Sequence, residues 1–229
     1  NSLAGVVRAW RILRDMKAEV AKLHIASTVR VDPNSRQEIG GAQELQVPKR
    51  ARLPKLIVGA RLVLQDCPVE WLALPTDRPA YARLSRLLTL GKRRAGKAEC
   101  HLSLSDLEQG CGGIILIALP PADAAQALKP VQRLCRRYPG YVYLGAAPRY
   151  DGSDQAWFDI CAALALRAAA PMVAVGDVMM HRAGRRPLVD VLTCLREGIT
   201  IDRIGTRALP NAERRLKSAT EMARLYHRH

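Results

Sequence analysis

Four short apolar runs constrain this chain most. They are Lys55–Leu64 (KLIVGARLVL), Ile114–Leu119, Tyr141–Ala146 and Met172–Val175. Each is bounded by Gly, Pro or polar residues and is too short for a buried helix, so each reads as a strand. Trp71–Leu74 adds another. Longer segments with helical spacing lie between them. One follows Asp77 as cap, with Pro79 early and Tyr81, Leu84, Leu87 and Leu88 on one side; Gly91 is its expected end. Ser105–Glu108 is a short helix. Pro121–Tyr138 is helical with a kink or break at Pro130. Ser153–Ala169 points Trp157, Ile160, Cys161 and Leu164 inward, and Arg185–Glu197 and Ser218–Tyr226 are helical, the last with Ser218 and Glu221 at capping-box spacing. Strands alternating with helices predict an α/β chain whose parallel sheet is wrapped by helices, open or closed as a barrel. Aromatics are only 4% of residues, so Leu, Val, Ile and Ala must fill the core.

The N-terminal quarter reads differently. Asn1-Ser2 caps a helix to Lys22 that carries Leu3, Val6, Val7, Trp10, Leu13 and Val20 at helical spacing. Periodicity then fails from about His24 to Pro54, where Asp32-Pro33-Asn34, Gly40-Gly41 and Pro48 punctuate a polar stretch with a basic end. Such a length predicts an exposed insertion over 22–54. Opening at Asn1 in helix-like sequence suggests a segment of something longer.

Lys and Arg number 36 against 21 Asp and Glu, a formal net charge of +15 with pI near 10.1. That balance favours a polyanionic partner, nucleic acid or a membrane surface. No apolar run approaches the ~20 residues of a membrane span, and no basic-then-apolar signal-peptide pattern is read in these residues. Three basic clusters are expected to be exposed: Lys92/Arg93/Arg94/Lys97, Arg182/Arg185/Arg186 and Arg203/Arg207/Arg214/Arg215/Lys217. They are suited to phosphates or, equally, to solvated faces. No aromatics interleave with them, so stacking of single-stranded bases has no support.

Six cysteines form no CxxC pair, which argues against a zinc ribbon and for a reduced, cytoplasmic setting. No GxGxxG or GxxxxGK[ST] loop occurs, and Gly110–Gly113 precedes a strand, so it reads as a turn. The histidines make no HxxxH pair. His227 and His229 lie at the terminus, where disorder is the default. His101 beside Glu99 and Cys100 reads as a loop. Asp177 with His181, beyond the strand Met172–Val175, lies where α/β proteins build active sites. Two ligands alone make a weak metal site, and a structural capping role for Asp177 is favoured.

Several segments together carry a resemblance: Asn1–Trp10 (NSLAGVVRAW), Lys55–Val63 (KLIVGARLV), Leu84–Cys100 (LSRLLTLGKRRAGKAEC), Arg186–Glu197 (RPLVDVLTCLRE) and Ser218–Tyr226 (SATEMARLY). In order and content they resemble the polymerase-and-histidinol-phosphatase (PHP) domain of bacterial C-family DNA polymerases, in their error-prone branch. The resemblance implies a distorted TIM-like (β/α) barrel, here lacking its first strands, spanning 1–229, with the connection to the polymerase domains starting near 200–229. It implies metal sites at strand ends that activate water for phosphoester hydrolysis. The acidic residue expected two places after Gly59 is Arg61. The strand-end aspartate is Asp177, but the histidine two residues on is Met179, and the histidine of the next helix falls at Val189.

A cation at Arg61, a soft thioether at Met179 and a hydrocarbon at Val189 cannot hold Mg or Mn. The expectation is a scaffold segment with a degenerate metal site, no catalytic residue and no cofactor of its own. The resemblance places Mg in the parent polymerase active site, other polymerase domains in cis, DNA as substrate in damage-induced translesion synthesis, and damage-response accessory proteins as partners, with no membrane. The candidates for contact with nucleic acid are Arg182, Arg185, Arg186, Lys92, Arg93 and Arg94. Two alternatives stay open: a stand-alone metal-dependent phosphoesterase and a basic nucleic-acid-binding module.

Overall fold

The computed structural model describes residues 9–18 and 56–229. The chain divides into two compact units, Ser2–Val58 and Gly59–His229. In the first, residues 9–18 are helical (α1), and Arg14 lies over the Trp10 ring at 5.4 Å. The expected Asn1-Ser2 cap, the helix end near Lys22 and the polar insertion over 22–54 fall outside the described residues.

The second unit is built on one sheet in the order β1 (Ala60–Leu62), β2 (Glu70–Pro75), β3 (Ile114–Leu119), β4 (Val142–Ala146) and β5 (Met172–Ala174). The expected all-parallel sheet is corrected to a mixed one. β1 and β3 each run antiparallel to β2, whereas β3, β4 and β5 are parallel. The reason lies in the connection after β2. Two helices, α2 (Arg78–Arg93) and α3 (Leu104–Gly110), bring the chain back to the end it left, where the Thr76 N–H donates to Gly113 O at 3.2 Å. The later connections carry the chain across the sheet in the usual way, through α4 (Leu128–Arg137) and α5 (Asp154–Ala168). Among the described residues the sheet is open: β1 and β5 are its edges, and it does not close into a barrel.

Local chemistry explains most boundaries. Asp77 caps α2 by accepting from the Ala80 N–H at 2.7 Å. Ser103 and Asp106 form a capping box on α3, and Ser218 and Glu221 form one on α7 (Ala219–Leu225). Pro130 falls in the first turn of α4, where its missing N–H costs nothing; the expected break becomes a 3-10 turn, Ala124–Ala127, just ahead of it. The expected turn is confined to Gly112-Gly113, with Gly113 at φ +71, because Gly110 is the last residue of α3.

Two expectations are corrected. Gly91 does not end α2. It is buried inside the helix, and a Cβ there would stand 2.7 Å from Cys100 Sγ and 2.9 Å from Leu102 Cδ2, so glycine permits close approach rather than termination. Ile160 is 51% exposed, because the inward strip of α5 is Trp157, Phe158, Cys161, Leu164, Ala165 and Ala168. The core between sheet and helices centres on Trp71, Phe158, Leu84, Leu116 and Leu144, all fully buried. Burial pushes the Cys111 thiol up to about 12 and the Cys161 thiol up to about 11, so both behave as small apolar side chains.

Candidate functional site

Because β1 is antiparallel to β2 and β2 to β3, one end of the sheet gathers the C-terminal ends of β1, β3, β4 and β5 with the start of β2. Glu70, the first residue of β2, pairs in register with Leu119, the last of β3. Arg61 alternates outward from β1 between buried Ala60 and Leu62. Asp177 follows β5 with a left-handed backbone, φ 40, which aspartate tolerates better than most residues. These side chains border a cleft of about 430 Å³ together with Arg149, Trp157 and Arg214.

Asp177 is the hub. Its Oδ1 accepts from Arg61 Nη1 at 2.7 Å, and its Oδ2 accepts from Arg214 Nη2. Arg214 Nε also donates to the Asp177 carbonyl at 3.1 Å. Arg61 turns its Nε to Glu70 Oε2. The four side chains form one ladder, Glu70–Arg61–Asp177–Arg214, that joins β1, β2, the β5 end and the C-terminal stretch. Burial alone would lower the Arg61 pKa, but the charges of and hydrogen bonds to Asp177 and Glu70 outweigh it and raise the group further above neutral pH. The ladder is backed by main-chain bonds: the Met179 and Met180 N–H groups donate to Arg214 O at 2.8 and 3.2 Å, and Leu216 N–H donates to Met180 O at 3.0 Å. The Tyr226 hydroxyl lies 2.6 Å from Ala146 O and 3.1 Å from Val175 O, fastening α7 to the same strand ends.

This donor set does not fit a divalent metal. Both carboxylates at the cleft are engaged by guanidinium groups, and a metal ion brought to Asp177 would face the positive charge of Arg61 and Arg214. Among the described residues no histidine lines the cleft. Among the described residues no three His, Cys, Asp or Glu side chains are grouped to hold a metal.

Of the four positions singled out from the sequence, Arg61 and Asp177 are brought into contact. Met179 is 44% exposed and Val189 is buried, and neither borders the cleft. Asp177 caps no helix among the described residues; both its oxygens serve the arginines. His181 is exposed. His101 lies 3.3 Å from Glu99 Oε2, and His229 packs edge-on to Phe158 with its Nε2 3.5 Å from Asp159, so the terminus is docked rather than loose. Sequence reasoning missed Glu70 and Arg214. In the sequence Arg214 reads as part of an exposed cluster, but in that cluster Arg214, Arg215 and Lys217 pair with Asp177, Glu221 and Glu213.

The other clusters remain more open. Lys92 and Arg93 are exposed at the end of α2, whereas Arg94 pairs with Asp106 at 2.7 Å. Arg182 and Arg185 are exposed; Arg186 is tied to Leu209 O at 2.6 Å. Among the described residues, no helix is long and apolar enough to cross a membrane.

No family model matches the chain. Individual proteins do. It is 63% identical over 230 residues to an error-prone DNA polymerase of Ruegeria pomeroyi, an alignment that takes in all of this chain and 21% of that protein. It is 46% identical over 175 residues to one of Rhodopseudomonas palustris, covering 76% of this chain and 16% of the relative. A third, from Bradyrhizobium diazoefficiens, is 36% identical over 233 residues, 99% of this chain and 18% of the relative. The chain is homologous to one segment of error-prone DNA polymerases. It spans about a fifth of the length of these relatives.

Proposed function

We propose that this chain is the PHP-domain segment of an error-prone DNA polymerase and that it serves as a scaffold without hydrolytic activity of its own. The observation that carries the reading is similarity to one polymerase segment across the whole chain. On this reading residues 1–229 are a partial PHP domain, a TIM-like barrel incomplete at its N-terminus. An insertion lies near 22–54, and the connection to the polymerase domains starts near 200–229. The parent enzyme copies damaged template DNA in the cytoplasm, using Mg held by carboxylates in domains outside this segment, with damage-response proteins as accessory partners. The degenerate positions Arg61, Asp177, Met179 and Val189 support the scaffold role, and the guanidinium ladder on Asp177 is its physical basis.

Primer extension by the full-length protein on a template carrying a lesion tests this. Mg-dependent synthesis past the lesion is the expected result. A protein that makes no DNA but hydrolyses phosphoesters with added metal would overturn it in favour of the phosphoesterase.

A second reading, a basic nucleic-acid-binding surface, is favoured by a groove of about 920 Å³ along α2 and α3 bordered by Arg83, Arg86, Arg93 and Arg94. Reversing Arg86 and Arg93 to Glu should weaken salt-sensitive DNA binding by the full-length protein without altering the cleft. Unchanged binding would reject this second reading.

A further inference from the structure

Helix α6 (Arg186–Glu197) is turned the wrong way round for a helix with nothing else to cover it. At 3.6 residues per turn, Leu188, Val191, Leu192 and Leu195 fall within an arc of about 100°, the width of a core-facing stripe. Yet these are the exposed residues, at 51, 47, 55 and 73%. The polar positions Arg186, Asp190 and Thr193 lie on the opposite face and are only partly exposed. Arg186 donates to Leu209 O, and Asp190 Oδ1 is buried with no hydrogen-bond partner among the described residues. The helix packs chiefly on the 3-10 turns that flank it, Ala183–Arg185 and Ile201–Arg203, rather than on the sheet. Among the described residues the strand before it, β5, pairs with β4 alone and leaves its other edge open.

A surface helix buries its apolar stripe, and a contiguous exposed stripe beside an open strand edge marks an interaction surface. Relatives that match this whole chain carry about four-fifths of their length outside the matched segment. We infer that the Leu188–Leu195 face of α6 docks against the remainder of the same polymerase chain, outside these 229 residues. The inference rests on the reading of the chain as a polymerase segment. It adds the surface through which the segment is held.

The test uses the full-length protein with the photo-crosslinking amino acid benzoylphenylalanine in place of Leu195, a position so exposed that folding is spared. Irradiation should give an intramolecular cross-link to a peptide outside residues 1–229, in a yield independent of protein concentration. The amides of residues 186–197 should exchange slowly in the unmodified protein. Cross-links between two copies that grow with concentration, cross-links confined to residues 1–229, or no cross-link with fast exchange would each overturn the inference. Primer extension on the same preparation separates the two failures. A protein that extends primers but leaves α6 uncovered loses the docking surface alone, and one that extends none loses the polymerase reading beneath it.

Discussion

From Gly59 to Ala170 the chain is held by apolar packing: the first four strands and α2 to α5 contribute Trp71, Phe158 and nearly every other buried side chain. From Pro171 onward only Met180, Val189 and Cys194 are buried among the apolar residues. That second region is fastened by polar ties instead. Asp177 holds Arg61 and Arg214, Tyr226 reaches Ala146 O and Val175 O, Asn211 donates to Tyr150 O at 2.8 Å, and Gln155 to Leu225 O at 3.2 Å. Hydrophobic burial is non-directional and is the main source of cohesion in the first region. Directional bonds fix where the second region lies but supply little net stability each. The contrast explains how the second region can keep an apolar helix face for a partner while staying in register with the strand ends.

The contrast can be broken at several points. Phe158 is fully buried and stacks on Tyr226 at 4.5 Å, so Phe158→Ala removes core and tie together. Its expected cost is about 3–5 kcal/mol in the opening free energy of the sheet amides, read by hydrogen exchange. A cost below about 1 kcal/mol would mean that the first region is not the stable one. Gly91→Ala forces a Cβ against Cys100 and Leu102 and should cost about 1–3 kcal/mol, with α2 and α3 loosened first. Asp177→Ala leaves Arg61 and Arg214 without their shared carboxylate. Arg61 is 40% exposed at its side chain and Arg214 27%, so solvent limits the loss to about 1–2 kcal/mol. Proteolysis should then accelerate within residues 178–216 and leave β1 to β4 intact; uniform acceleration would contradict the division.

The smallest effect is a pH dependence at α7. The hydrogen bond from Arg215, followed by that from the Ser218 backbone, lowers the Glu221 carboxyl to about 2. A carboxylate depressed on folding stabilises above its unfolded pKa of roughly 4.3 and loses that contribution as pH falls through the folded value. Amide exchange at residues 218–226 should therefore rise between about pH 4 and about pH 2, ahead of any change in the sheet. Exchange that stays flat over that window would show that the capping box does not hold α7.

Elements bounded by local chemistry were legible in the sequence. Asp77, Ser218 with Glu221, the apolar run Ile114–Leu119 and the turn at Gly112-Gly113 carry their signals within a few residues. The direction of β2 was not legible, because two helices rather than one return the chain, and helix count does not fix which end of a sheet the chain re-enters. Gly91 misled because a helix-ending glycine and one admitting a neighbouring loop look alike until Cys100 and Leu102 are in place. The family resemblance points to Arg61 and Asp177 but not to their contact. Their contact spans 116 positions, and Arg214 comes from a stretch that reads as plain basic surface.

Guanidinium groups of Arg61 and Arg214 stand at the strand-end carboxylate Asp177, where the resemblance to PHP domains implies a metal. The most direct measurement is phosphodiester hydrolysis by the full-length protein with Mn or Mg, beside its Asp177→Ala variant. The expected result is no metal-dependent hydrolysis from either protein, with primer extension the same for both. Metal-dependent turnover by the parent protein that disappears in Asp177→Ala would contradict it.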